Sequence, residues 1–162
     1  MSSFNRRALI LMPLALAACG FTPAYGPKGP ASGLVDQIRI GDPTDKNSFD
    51  LVERLEERLG RTSAGRYDLS YTITTDTSGV GIATDNSTTR YQLYGSADWS
   101  LTERATATRV TGGKATGFTS YSATASTVAA LSGEENAALR LMHILADEIV
   151  TQLVATAGIW AK

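Results

Sequence analysis

Cysteine and histidine each occur once in this 162-residue chain, as Cys19 and His143. One thiol excludes an internal disulfide, and one thiol with one imidazole excludes a Cys/His zinc cluster. Charge is scarce as well: 15 basic and 16 acidic residues leave a formal net charge of −1. That balance lacks the basic footprint of a nucleic-acid-binding domain. The N-terminal apolar run, Ala8 to Ala18, has 11 residues, well short of the roughly 20 that cross a bilayer as a helix. No HExxH, P-loop, GxSxG or paired-carboxylate pattern is legible. The length suits one domain, large enough to bury roughly two-thirds of the surface its unfolded chain exposes.

The single cysteine gains meaning from what precedes it. Arg6 and Arg7 form a cationic start, the apolar run follows, and Leu16-Ala17-Ala18-Cys19 ends it. This is the pattern of a secretory signal peptide, whose positive end stays in the cytoplasm. Its last four residues resemble the bacterial lipobox, in which the cysteine sulfur receives diacylglycerol. The reading divides the chain into a signal peptide (1–18), an acylated Cys19 with a tether (19–33) and one domain (34–162). Sec export is favoured over twin-arginine export, since Arg6-Arg7 lacks the usual flanking residues. No cofactor is expected beyond the lipid and N-acyl chain on Cys19. Two or three acyl chains anchor stably where one does not. Gly20 follows Cys19 in place of the aspartate that resembles an inner-membrane retention signal, which favours the outer membrane. Gly20 to Gly33 holds three prolines and four glycines, the composition of an extended or turning tether.

Within the domain the hydrophobic period changes several times. Leu34 to Ile40 reads as a short strand. Phe49, Val52, Leu55 and Leu59 then fall on one helical face, with Asn47 as N-cap and Gly60 just past the end. Tyr67, Leu69, Tyr71 and Ile73 alternate with polar residues as a half-buried strand. Turn-rich Asp76-Thr77-Ser78-Gly79 and Asp85-Asn86-Ser87 come next. Tyr91, Leu93, Gly95, Ala97, Trp99 and Leu101 form a second alternating row. A third strand is expected over 116–125, with Phe118 or Tyr121 deciding its buried face and Gly112-Gly113 as the preceding turn or a bulge. Ser132-Gly133-Glu134-Glu135 fits a capping box opening a last helix. Leu139, Met142, Ala146, Ile149 and Leu153 supply its stripe and Gly158 its end. The expected fold is α+β, in the order β-α-β-β-β-α. It is a two-layer sandwich of a four-stranded mixed or antiparallel sheet with two helices on one face.

Between Thr62 and Thr127, 25 of 66 residues are serine or threonine, and from Ser70 to Thr102 only Asp76, Asp85, Arg90 and Asp98 are charged. Exposed sheet faces normally carry more charge. Two readings stand side by side: threonine is simply a good strand residue, or the face meets a polar, crowded partner that accepts uncharged hydroxyls. Arg104, Arg109 and Lys114 would bind phosphate if they gathered at one strand end, and solvated loop charges are the plainer reading. His143 and Asp147 stand one helical turn apart, which is either a surface contact or the only support for a hydrolase.

Cys19-Gly20-Phe21-Thr22-Pro23-Ala24-Tyr25-Gly26 resembles the opening of mature LPS-assembly lipoproteins, the LptE family. Arg90-Tyr91-Gln92-Leu93 through Trp99-Ser100-Leu101 is similar to that family's central strand. Ser120-Tyr121-Ser122, Ser126 to Ala129 and the Glu134–Leu153 helix are similar to its C-terminal third. Ala24, and the apolar Val128-Ala129-Ala130-Leu131, depart from the pattern. The resemblance implies a non-enzymatic outer-membrane lipoprotein that plugs the lumen of the LptD β-barrel, helps it assemble and contacts lipopolysaccharide. Arg90, Arg109 and Lys114 are the candidate lipopolysaccharide contacts. An auxiliary lipoprotein of an envelope lipid ABC-type transporter is the alternative.

Overall fold

The computed structural model describes residues 26, 29, 31, 33–82, 88–123 and 126–160. The signal peptide, Cys19 and most of the tether lie outside them. Six elements follow in order: β1 (Ile38–Ile40), α1 (Lys46–Leu59), β2 (Tyr67–Ile82), β3 (Thr88–Glu103), β4 (Thr108–Ser122) and α2 (Thr127–Trp160). The strands lie side by side as β1-β2-β3-β4. β1 runs parallel to β2, joined through α1, and β2, β3 and β4 form an antiparallel meander. The expected order and the mixed four-stranded α+β architecture are what the chain adopts.

Element boundaries moved, each for a local reason. β1 is shorter than 34–40 because residues 33–37 turn. Asp36 takes a left-handed φ of 60° there, and its N–H donates to the Leu59 carbonyl at 2.9 Å. Asp76-Thr77-Ser78-Gly79 is no turn but strand, facing Tyr94, Leu93, Gln92 and Tyr91 in register; cross-strand pairing overrides weak local propensity. β4 starts eight residues before the expected Thr116. Its bulge is at Val110, since Leu101 faces Thr111 while Thr102 faces Arg109. Gly112-Gly113 is therefore neither the turn nor the bulge.

In α1 the cap is Asp45, not Asn47. Ser48 N–H donates to Asp45 Oδ1 at 2.7 Å, and Ser48 Oγ accepts from the Asp45 N–H at 2.8 Å, a reciprocal capping box. Phe49 is 56% exposed and leaves the core to Leu51, Val52, Leu55 and Leu59. Gly60 ends the helix as expected, at φ 83°. α2 begins five residues before Ser132, whose carbonyl accepts from Asn136 Nδ2 inside the helix. It also runs past Gly158, seating Trp160 edge-on to Tyr67 at 5.1 Å.

The backbone N–H of Ser48, and then its hydroxyl, hold the Asp45 carboxyl below its usual pKa. The stabilisation is thus present above the unfolded pKa of about 3.9 and is lost as pH falls through the lower folded value. Asp45→Ala should cost about 1 kcal/mol near neutrality. In paired urea melts that gap should narrow below about pH 4; a gap that widens there would show that the cap is not the source.

The core lies between the sheet and the two helices. Leu69, Ala97 and Leu101 from the sheet meet Leu51, Leu55 and Leu59 of α1 and Leu141, Leu145, Ile149 and Leu153 of α2, all essentially inaccessible. Asp147 on α2 ties the helices together. It accepts from Arg54 Nε and Nη2 at 3.2 and 3.1 Å and from Arg58 Nη1 at 2.7 Å.

Candidate functional site

Strand alternation sends odd-numbered side chains of β2, β3 and β4 toward the helices and even-numbered ones to the opposite face. The exception is the start of β4, where the bulge at Val110 reverses the parity of the residues before it and puts Arg109 on the even face. Close approaches of Gly95 to Leu141, Gly113 to Gln152 and Gly117 to Ile144 place α2 on the odd side. Among the described residues no helix covers the even side.

Register arranges that bare face in rows. From the end nearest Tyr67 they read Asp68–Thr102–Arg109, Ser70–Ser100–Gly112, Thr72–Asp98–Lys114, Thr74–Ser96–Thr116, Asp76–Tyr94–Phe118 and Ser78–Gln92–Ser120. Ser70 and Ser100 share a hydroxyl hydrogen bond of 2.9 Å. Lys114 Nζ sits 3.3 Å from Asp98 Oδ2, with both side chains more than half exposed; such a pair contributes little to stability. Tyr94 and Phe118 lie at 6.1 Å between ring centroids and are 43% and 59% exposed. Tyr94 OH donates to Gln92 Oε1 at 2.8 Å, which fixes the ring across the face. A groove of about 310 Å³ runs beside it, lined by Thr74, Asp76, Ser96 and Thr116.

The three sequence-selected cations share this face without forming one cluster. Arg109 lies along a shallow groove with Ser70, Thr72 and Ser100, and Nε donates to the Thr111 carbonyl at 3.4 Å. Among the described residues it has no carboxylate partner. Lys114 is nearby but paired. Arg90 stands eight residues along β3 from Asp98, about 27 Å at 3.4 Å per residue. Arg104 is held at the end of the face, by Asp68 of the first row at 3.4 Å and by the carbonyls of Ser63 and Gly65. The phosphate cluster of Arg104, Arg109 and Lys114 is thus not assembled. Nor is the His143–Asp147 pair: Asp147 is taken by Arg54 and Arg58, and no hydrogen bond joins it to His143.

Phe118, not Tyr121, points away from the core. Tyr121 lies on the helix side, stacked on Tyr91 at 5.3 Å, where burial first, then Glu134 and Tyr91, push its hydroxyl pKa up. The exposed Tyr94–Phe118 pair was not singled out from sequence. Its signal was an aromatic residue at an outward position in each of two neighbouring strands, which needs the register to be read.

Comparison with known proteins accords with this architecture. No curated protein sequence matches the chain. A protein from Caulobacter crescentus described as a candidate lipoprotein superposes with a TM-score of 0.66 at 19% identity, covering 80% of this chain and 96% of its own. The rare lipoprotein B of Shewanella oneidensis gives 0.57 at 14% identity, over 74% and 93%. A lipoprotein B from Nitrosomonas europaea gives 0.56 at 11%, over 77% and 87%. At these identities the likeness shows a shared fold. Residues 35–153 match the LptE family model, described as lipopolysaccharide-assembly, and that match spans most of the described domain. The chain belongs to the LptE family of lipopolysaccharide-assembly proteins.

Proposed function

We propose that this chain is an outer-membrane lipoprotein, acylated at Cys19, whose bare sheet face docks within the polar lumen of an LptD-type β-barrel and supports lipopolysaccharide delivery to the outer leaflet. The observation that carries the reading is the composition of that face. Four of its six rows hold no cation, and serine and threonine hydroxyls dominate them. Barrel interiors are polar, and hydroxyls can exchange water for lumen groups at little desolvation cost. Tyr94 and Phe118 supply the aromatic anchor that interfaces concentrate their binding energy on. Arg109, with Lys114 and Arg90 on the same face, is proposed to meet the anionic groups of the lipid.

Detergent extraction followed by mass spectrometry tests the proposal. Wild-type protein should bring down a large β-barrel, and Tyr94→Glu with Phe118→Glu should cut the recovered barrel by roughly tenfold or more. Replacing Arg90, Arg109 and Lys114 by alanine should weaken lipopolysaccharide binding and flatten its salt dependence. Recovery of a permease or ring-forming lipid carrier instead, or undiminished barrel with the face variant, would overturn the reading.

A further inference from the structure

We infer that the open edge of β2, with the cleft beside it, takes an extended segment of a partner protein that alternates apolar residues with lysine or arginine. β1 covers only Tyr67, Asp68 and Leu69 of the 16-residue β2. Gly41 N–H donates to the Leu69 carbonyl and Tyr67 N–H to that of Gln37, so odd-numbered residues of β2 direct their backbone groups to this edge. Ile73, Thr75 and Thr77 continue the series, and among the described residues no strand lies beside them. Unpaired strand edges are templates for strand addition.

The opposite edge of the sheet is treated differently. Gln152 Nε2 donates to the Lys114 carbonyl at 3.1 Å and Arg140 Nη2 to the Ser120 carbonyl at 3.1 Å, so α2 side chains cap β4. Among the described residues nothing comparable reaches Ile73, Thr75 or Thr77.

Directly inside the β2 edge is a cleft of about 270 Å³ lined by Thr75, Thr77, Leu93, Leu131, Ala138 and Met142. It exists because α1 has 14 residues and starts level with the middle of β2, whereas α2 has 34. Above Lys46 the helix layer is one helix wide. An added strand would send every second side chain into this cleft, against Leu93, Leu131, Ala138 and Met142, which is how strand-addition sites gain specificity. Glu134 and Glu135 are exposed at the mouth with no ion pair among the described residues, and Lys46 there is bound to Asp50 at 2.9 Å. The mouth is therefore acidic: it favours a basic segment and repels anionic lipid. The chain's own residues 19–33 suit the place poorly, because Pro23, Pro27 and Pro30 cannot donate to a ladder. The edge is separate from the bare face, so the inference does not rest on barrel docking.

The test uses the full chain in nonionic detergent and two labelled peptides of one composition, Lys and Val alternating eightfold or arranged as a Lys block and a Val block. The alternating peptide should bind more tightly and slow hydrogen exchange at the amides of Ile73, Thr75 and Thr77. Glu134→Lys with Glu135→Lys, at exposed positions, should weaken that binding roughly tenfold. Equal binding of the block peptide, or an unchanged affinity in the double variant, would overturn the inference. So would protection of these amides without peptide: independent of protein concentration it means the chain's own segment, and rising with concentration a second copy.

Discussion

Leu145→Ala should remove about 2–5 kcal/mol of folding stability, a large share of the 5–15 kcal/mol typical of a domain. Leu145 is fully buried near the middle of the α2 stripe that includes Leu141, Ile149 and Leu153. Helical capping holds a helix end, but packing of this stripe is what holds α2 to the sheet. Truncation costs both the transfer energy of the lost methyl groups and a cavity that a close-packed interior cannot fill. Urea unfolding followed by the fluorescence of Trp99 and Trp160 reads the loss. A change below about 1 kcal/mol would mean that α2 does not seat as described.

Gly95→Val acts in the opposite sense, by overfilling. A Cβ at position 95 would stand 2.8 Å from Leu141 Cδ2 and 3.1 Å from its Cγ, and Leu141 is fully buried with nowhere to turn. Gly117 beneath Ile144 shows the same close approach, with a Cβ contact of 2.7 Å to Cγ2. Valine adds two further methyls, so α2 must lift or Leu141 must leave its rotamer, at about 1–3 kcal/mol. A double-mutant cycle separates this clash from a general loss of strand quality. Combined with Leu141→Ala, the valine should cost less than it does alone; strictly additive effects would locate the damage elsewhere.

These glycines also explain which parts of the fold were legible in the sequence. The two alternating rows, Tyr67 to Ile73 and Tyr91 to Leu101, were visible because each strand carries its own apolar side chains at period two. The first half of β4 was not. Its helix-facing positions include Gly113 and Ala115, and the volume over Gly113 is supplied by Trp99 and Gln152. A strand whose core is provided by its neighbours has no hydrophobic period to read. The start of α2 was hidden differently: Ser132-Gly133-Glu134-Glu135 has cap chemistry, while Val128 and Leu131 ahead of it are apolar yet 77% and 58% exposed. In α1, Asp45, Asn47 and Ser48 are all competent caps, and only the backbone geometry selects Asp45.

The candidate surface was half legible. Scarcity of charge marked the outward face of the meander, and its hydroxyl-rich character is a property of composition. The Tyr94–Phe118 pair and the separation of Arg90 from Lys114 depend on strand register, which spacing along the chain does not encode. The open β2 edge depends on β1 ending at Ile40, after which residues 41–44 leave the strand for α1 and the ladder reaches no further along β2 than Leu69.

The lengths of the long elements carry one more consequence. β3, with 16 residues, spans about 54 Å, and α2, with 34, spans about 51 Å. Helix and sheet are therefore commensurate, and the buried stripe of α2 grips the sheet from Ala137 to Ala157 like a rule laid along a board. One residue inserted halfway along α2 would rotate everything beyond it by about 100°. The lower stripe of Ile149 and Leu153 would swing off the sheet while the upper half stayed seated. Length can change freely only where that grip is absent, as at the exposed turn over 104–107. That turn, and not any point along α2, is where a label or an added segment can enter with the sandwich kept in step.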